Sequence, residues 1–318
     1  MALLPIKLVP DNTKIDFVGV RMIAFAITLI YIVVSLSFVG FKGLNFGIDF
    51  KGGILMEVKT KGPADLNSMR TRLDSLGVGE VSLQGFGAPD DVLIRLEHQA
   101  GDEKAQEVAV DRVKGVLGDT VESYRRTEFV GPKVGRELIE GGVIAVVASV
   151  LAIAAYVWFR FEWQFAIGAI VALTHDVIGT FGIFSILGLE FNLSSVAAVL
   201  TIAGYSINDT VVIFDRIREN LRKYKSMDVK ELINLSINET LARTIMTSMT
   251  TLLAVTAVFA FGGEVLRGFS FAMIFGILIG TYSTVYVASS VVIYFGIRER
   301  ISGGNVGGAA EAGKGKSG

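Results

Sequence analysis

Six uninterrupted apolar stretches dominate this sequence and leave it few ways to fold. They run over residues 22–39, 141–159, 165–189, 191–214, 244–263 and 268–297. Each is long enough to cross a hydrocarbon core, for which roughly 20 residues suffice. In lipid every backbone N–H and C=O must find its partner within the segment, so such stretches become helices. None of the five prolines interrupts one of them. With 51 % hydrophobic residues among 318, a water-soluble globule is excluded. The sequence predicts an α-helical polytopic membrane protein with six transmembrane helices.

The basic residues set the expected orientation. Lys7, Lys14 and Arg21 precede the first stretch, and Arg160 follows the second. Arg216, Arg218, Arg222, Lys223, Lys225 and Lys230 follow the fourth, and Arg298 and Arg300 follow the sixth. The link between the third and fourth has no Lys or Arg, and that between the fifth and sixth only Arg267. The positive-inside rule then places both termini (1–21 and 298–318) and a basic loop over 215–242 in the cytoplasm. Residues 40–138 lie outside, and the helices after them occupy 139–297. The first stretch lacks a small-residue cleavage site and suits an anchor better than a removable signal. The tail, rich in Gly and Lys, is expected to be disordered. Without cysteine the chain offers neither a disulfide nor a thiolate.

Residues 40–138 read as a folded domain. Strands are expected over 54–59, 81–86, 92–97 and 121–129, with amphipathic helices over 63–76 and 102–117. This order, βαββαβ, is that of a ferredoxin-like α+β unit between helices 1 and 2. The glycine-rich run 47–53 (GIDFKGG) enters it directly from the first span, and is read as a turn joining span to strand rigidly.

Within the spans, charge is confined to three residues: His175, Asp176 and Asp209. A charge in hydrocarbon costs several kcal/mol and persists where it functions or is paired. Asp209 shares a helical face with Thr201, Tyr205 and Asn208, and Ser206 lies beside them. Arg243 heads a stripe of hydroxyls, Thr240, Thr244, Thr247, Ser248 and Thr251, in the fifth span. Either it faces a polar interior beside Asp209 or it snorkels to the interface. The pair His175–Asp176 suits a proton relay, a helix–helix hydrogen bond or the lining of a water cavity. An intramembrane serine protease using Ser206 and His175 lacks an evident oxyanion site. The tail sequence 310–317 (AEAGKGKS) lacks the first glycine and the following helix of a phosphate loop. Two histidines give no metal spacing. No enzyme, cofactor, metal or nucleic-acid role is expected. A carboxylate that alternates between protonated and charged forms can draw on the membrane potential instead, and a nearby arginine favours its charged form.

These residues carry a resemblance. The runs 47–53 (GIDFKGG), 130–132 (VGP), 204–220 (GYSINDTVVIFDRIREN) and 240–248 (TLARTIMTS), with the His175–Asp176 span, resemble the SecF family. That family is the smaller membrane subunit of the bacterial SecDF protein-export complex, in the resistance-nodulation-division superfamily. The resemblance extends over about residues 17 to 301, in motif order and in topology. It implies pairing with SecD, cooperation with the SecYEG channel and often YajC, and use of the proton-motive force to help draw unfolded preprotein outward. It implies a bacterial inner membrane facing a periplasm. It maps the proton-coupling carboxylate onto Asp209 and the intramembrane arginine onto Arg243. Asn208, Tyr205, Ser206, Thr247, Ser248, His175 and Asp176 form the supporting polar interior. Two other readings stay open: a half-transporter of the same superfamily exporting lipid or small apolar compounds, and a non-transporting assembly scaffold. The basic segment beyond Asp209 also suits an interfacial helix on anionic membrane lipid.

Overall fold

The computed structural model describes residue 10 and residues 13–79, 81–101, 103–262 and 264–297. The expected tail, with its phosphate-loop-like run, and most of the first twelve residues lie outside the described residues. In chain order the elements are α1 (Arg21–Phe41), β1 (Asn45–Phe46), α2 (Ile48–Lys51), β2 (Gly53–Thr60), α3 (Leu66–Asp74), β3 (Val81–Phe86), β4 (Ala88–Leu96), α4 (Glu103–Leu117) and β5 (Val121–Val130). Then follow α5 (Pro132–Arg160), α6 (Trp163–Leu187), β6 (Glu190–Phe191), α7 (Leu193–Lys223), α8 (Val229–Phe261) and α9 (Glu264–Tyr282). A π-helical turn, Ser283–Ala288, continues α9 into the short α10 (Ser289–Val291) and a 3₁₀ turn, Val292–Phe295. Among the described residues, six helical segments are long and apolar enough to cross a membrane. The chain is a multi-pass membrane protein.

Helix bounds differ from the apolar stretches in an instructive way. α5 begins at Pro132, nine residues before the apolar run at 141, so it extends beyond the apolar span toward the sheet domain. α7 runs on to Lys223 and α8 starts at Val229, so the segment expected as a basic loop over 215–242 is mostly helix. Apolar runs report the hydrocarbon thickness, whereas caps decide where a helix stops. Asn192 and Ser195 form a capping box at the start of α7, and Asp228 accepts from Lys230 N at the start of α8.

The outer domain has the expected order of strands and helices. Its four-stranded sheet runs β3–β4–β2–β5, every neighbouring pair antiparallel. Alternation along the strands sends Ile54, Met56, Val58, Val92, Ile94 and Leu96 to one buried face, against Met69 and Leu73 of α3 and Val110, Val113 and Leu117 of α4. That order and pairing are compatible with a ferredoxin-like unit.

The glycine-rich run after α1 is a rigid joint. β1 pairs in parallel with β6, Asn45 opposite Glu190 and Phe46 opposite Phe191. Asp49 Oδ2 accepts from Leu193 N at 2.9 Å, capping the first turn of α7. Gly52 and Gly53 adopt φ of 74° and 140°, a region that side chains avoid, and a Cβ at Gly53 would strike the Leu96 carbonyl. Phe46, Phe50, Phe184 and Phe191 close the joint as an aromatic cluster. Across it, Arg95 of β4 meets Glu190 at 2.6 Å.

In the membrane α1 lies against α6 because Gly179 and Gly182 leave room for Tyr31 and Ser35. Gly182→Val should force the two helices apart, at a cost on the order of 1–3 kcal/mol, seen as a lower unfolding temperature in detergent. An unchanged midpoint would show that α1 is not seated there.

Burial pushes the Glu190 carboxyl above its ordinary range; Arg95 opposes the rise and Asp49 adds to it. A carboxyl raised on folding contributes stability while protonated, and that contribution is lost as the pH climbs through the raised value. Glu190→Gln should therefore flatten the decline in unfolding midpoint as the pH rises above the ordinary carboxyl range of about 4. Parallel profiles for the variant and the parent would refute the assignment.

Candidate functional site

The polar centre of the bundle is built around Asp176 of α6, which is fully buried. Its Oδ2 accepts from Ser206 Oγ of α7 at 2.6 Å and from Ser283 Oγ, the first residue of the π-helical turn, at 2.9 Å. Its Oδ1 lies 2.9 Å from His175 Nδ1. One carboxylate thus ties three helices together. The His175 ring lies between Tyr31 of α1 and Tyr282, with centroids 5.0 and 6.0 Å away. Tyr282 donates to the Ala24 carbonyl at 2.9 Å, bringing α1 into the same cluster. One turn further along α7, the Thr210 and Thr284 hydroxyls meet at 2.9 Å. A π-helical turn widens the backbone locally and recurs at functional sites; here it presents both Ser283 and Thr284 to the centre.

Asp209 is different in kind. It is 2 % exposed, yet among the described residues neither carboxylate oxygen has a hydrogen-bond partner. Arg243 of α8 is near enough to act on it electrostatically, but among the described residues the two form no ion pair within 4.0 Å. The Arg243 side chain is exposed on this chain.

The expected polar face is therefore divided. Ser206 and Thr210 point inward with Asp209. Asn208, expected in the polar interior, is exposed instead, because one residue along a helix turns the side chain by about 100°. The stripe on α8 splits likewise: Thr240, Thr244 and Ser248 are buried, whereas Arg243 is not. Tyr205 donates to Ser248 Oγ at 3.4 Å, and Ser248 meets Thr281 Oγ1 at 2.9 Å. The Thr247 hydroxyl returns to the Arg243 carbonyl at 2.8 Å. His175 and Asp176 join Ser206 rather than Asp209. Sequence reasoning missed Tyr31, Tyr282, Ser283 and Thr284. Their signal was the run Thr281, Tyr282, Ser283 and Thr284 in an otherwise apolar helix, hydroxyls that lipid does not reward.

The description "Protein export membrane protein SecD/SecF, C-terminal" matches residues 112–298, and the "SecD/SecF GG Motif" matches 37–64. The protein translocase subunit SecF of Rickettsia rickettsii is 46 % identical over 298 residues, 93 % of this chain and 96 % of that one. The chain belongs to the SecF family. The SecF of Rickettsia typhi is 45 % identical over 302 residues, 94 % of this chain and 97 % of its own. The crystal structure of SecDF, a translocon-associated membrane protein from Thermus thermophilus, superposes with a TM-score of 0.80 at 36 % identity, over 90 % of this chain and 39 % of that chain. A second, of SecDF in a super-membrane-facing form, gives 0.68 at 36 % identity, over 92 % and 40 %. The chain thus spans about two-fifths of each SecDF chain. The first SecD/SecF match takes in Asp176, Ser206, Asp209, Arg243 and Ser283, and the GG motif takes in the joint.

Replacing Asp176 by Ala would strand the Ser206 hydroxyl, at about 1–3 kcal/mol for an unsatisfied buried group, and leave Ser283 only its bond to the Gly280 carbonyl. The expected outcome is a marked fall in thermal stability in detergent. A variant as stable as its parent would show that Asp176 does not hold the helices.

Proposed function

We propose that this chain is the SecF-type subunit of an accessory complex that uses the proton-motive force to assist preprotein export through the Sec channel. The observation that carries the reading is Asp209: a buried carboxylate without a hydrogen-bond partner among the described residues, on a helix whose neighbour carries Arg243. A carboxylate so placed gains little from the ground-state structure. It is fitted to take and release a proton as its surroundings change. With Arg243 close, the charged form is favoured; with the helices apart, the protonated form is. One charge crossing the full potential gains about 2.3 kcal/mol per 100 mV, which helix movement converts into work on the outer domain.

The location is the bacterial inner membrane, with both termini cytoplasmic and residues 40–138 periplasmic. A SecD-type partner covers the bare flank of α8, where Leu253 is 66 % exposed. That partner faces Asn208 and Arg243 on their open side and supplies further carboxylates. SecYEG, YajC and the unfolded preprotein are the remaining partners. The role is mechanical, with no catalytic residue, cofactor or metal.

The test is preprotein translocation into vesicles carrying this chain with its SecD-type partner, with and without a proton gradient. Asp209→Asn, at equal membrane abundance, should lose the gradient-dependent part and keep the rest. A gradient response equal to that of the parent would make Asp209 structural, and loss of the assembled complex itself would favour a scaffold.

A further inference from the structure

At the basic end of the bundle, away from the polar centre, a cavity of about 540 Å³ is lined by Arg160, Asp215, Arg218, Glu219, Arg222 and Lys223. Four cations face two carboxylates there, and neither carboxylate is idle. Asp215 binds Arg160 at 3.1 Å, and Glu219 binds Arg216, outside the cavity, at 2.6 Å. Among the described residues Arg222, exposed, has no ion pair.

The cations are held in place. The guanidinium groups of Arg160 and Arg218 lie 4.9 and 5.3 Å from one ring, Phe161. Phe161 is itself buried against Phe165 and Phe214. Stacking on a fixed ring pre-organises a planar guanidinium for an oxyanion. Arg218 Nε is 3.3 Å from Glu162 Oε2, but it is buried without an aligned hydrogen bond among the described residues. Arg160 and Arg218 are paired with Asp215 and Glu162, and Arg222 and Lys223 leave the cavity lining net positive.

The flank of the site is apolar. On α5, immediately before Arg160, Tyr156, Trp158 and Phe159 are 54 %, 68 % and 96 % exposed, and Trp163 follows at 39 %. Aromatic residues gather at the head-group level of a bilayer, and basic pockets between helices at that level take anionic head groups. We propose that this cavity binds the phosphate head group of an anionic phospholipid, with its acyl chains laid along the exposed flank of α5. The site requires only that the helices cross a bilayer and is independent of proton coupling at Asp209.

The experiment measures retention of phosphatidylglycerol by the full chain in detergent, by native mass spectrometry and by titration, against phosphatidylcholine and inorganic phosphate. Phosphatidylglycerol should remain bound where phosphatidylcholine is lost. Arg222→Gln with Lys223→Gln should weaken it roughly 25-fold, at roughly fivefold per cation. Lys225→Gln with Lys230→Gln removes equal charge outside the cavity and should leave affinity unchanged. Arg160→Lys keeps the charge, removes the stacked fork, and should also weaken binding. Equal retention of phosphatidylcholine would overturn the proposal, as would equal loss in the Lys225/Lys230 control, which would mean diffuse attraction. Displacement of the lipid by inorganic phosphate at matching concentration would identify a free-phosphate site and overturn the lipid assignment.

Discussion

Everything inside the membrane turns on how one buried carboxylate is satisfied. Asp176 sits where no water reaches it, and its oxygens are met by groups from its own helix, from α7 and from the π-helical turn that continues α9. A charge or strong acceptor in a medium of low polarity holds its partners far more firmly than it would in water. The three helices therefore cannot slide independently. The widened turn at Ser283–Ala288 is part of the same arrangement, because it sets two successive hydroxyls toward the centre. The last helix gives up regular geometry to complete the shell around Asp176.

Against that satisfied acid stands the other, Asp209, three residues beyond Ser206 on the same helix. The contrast separates two roles for intramembrane charge. One acid is locked and fixes the register of α7; the other, among the described residues, has no hydrogen-bond partner and is held in place by the helix that the first secures. The bundle is also one-sided: α6 and α7 are well covered, while α1, α5 and α8 leave apolar side chains bare. Arg243 and Asn208 open to that uncovered side.

Much of this was legible in the residues. Apolar length gave the six crossings, and alternation gave every strand of the outer domain to within a few residues. Asp209 and Arg243 stood out because charge in hydrocarbon is rare. What escaped was set by three-dimensional packing. The hydroxyl run at 281–284 marks a polar face without naming its partner, and Tyr31 lies 145 positions from the aspartate whose cluster it joins. The direction of Asn208 depends on a rotation that adjacency to Asp209 conceals. Helix ends were misjudged where a helix outran its apolar run, as α7 does to Lys223 and α8 does back to its cap at Asp228.

The joint at the outer surface has a mechanical consequence. Leu193 is capped by Asp49, and Glu190, three residues before it, grips Arg95 of the outer sheet. From Leu193 to Asp209 the chain is one unbroken helix of 16 residues' rise, about 24 Å. No proline interrupts it. α7 is thus a stiff rod, fastened at its first turn to the sheet domain through Asp49 and the Glu190–Arg95 pair and bearing the buried Asp209 at its middle. A continuous helix resists bending, so the position of Asp209 and the position of the sheet domain are mechanically linked through α7.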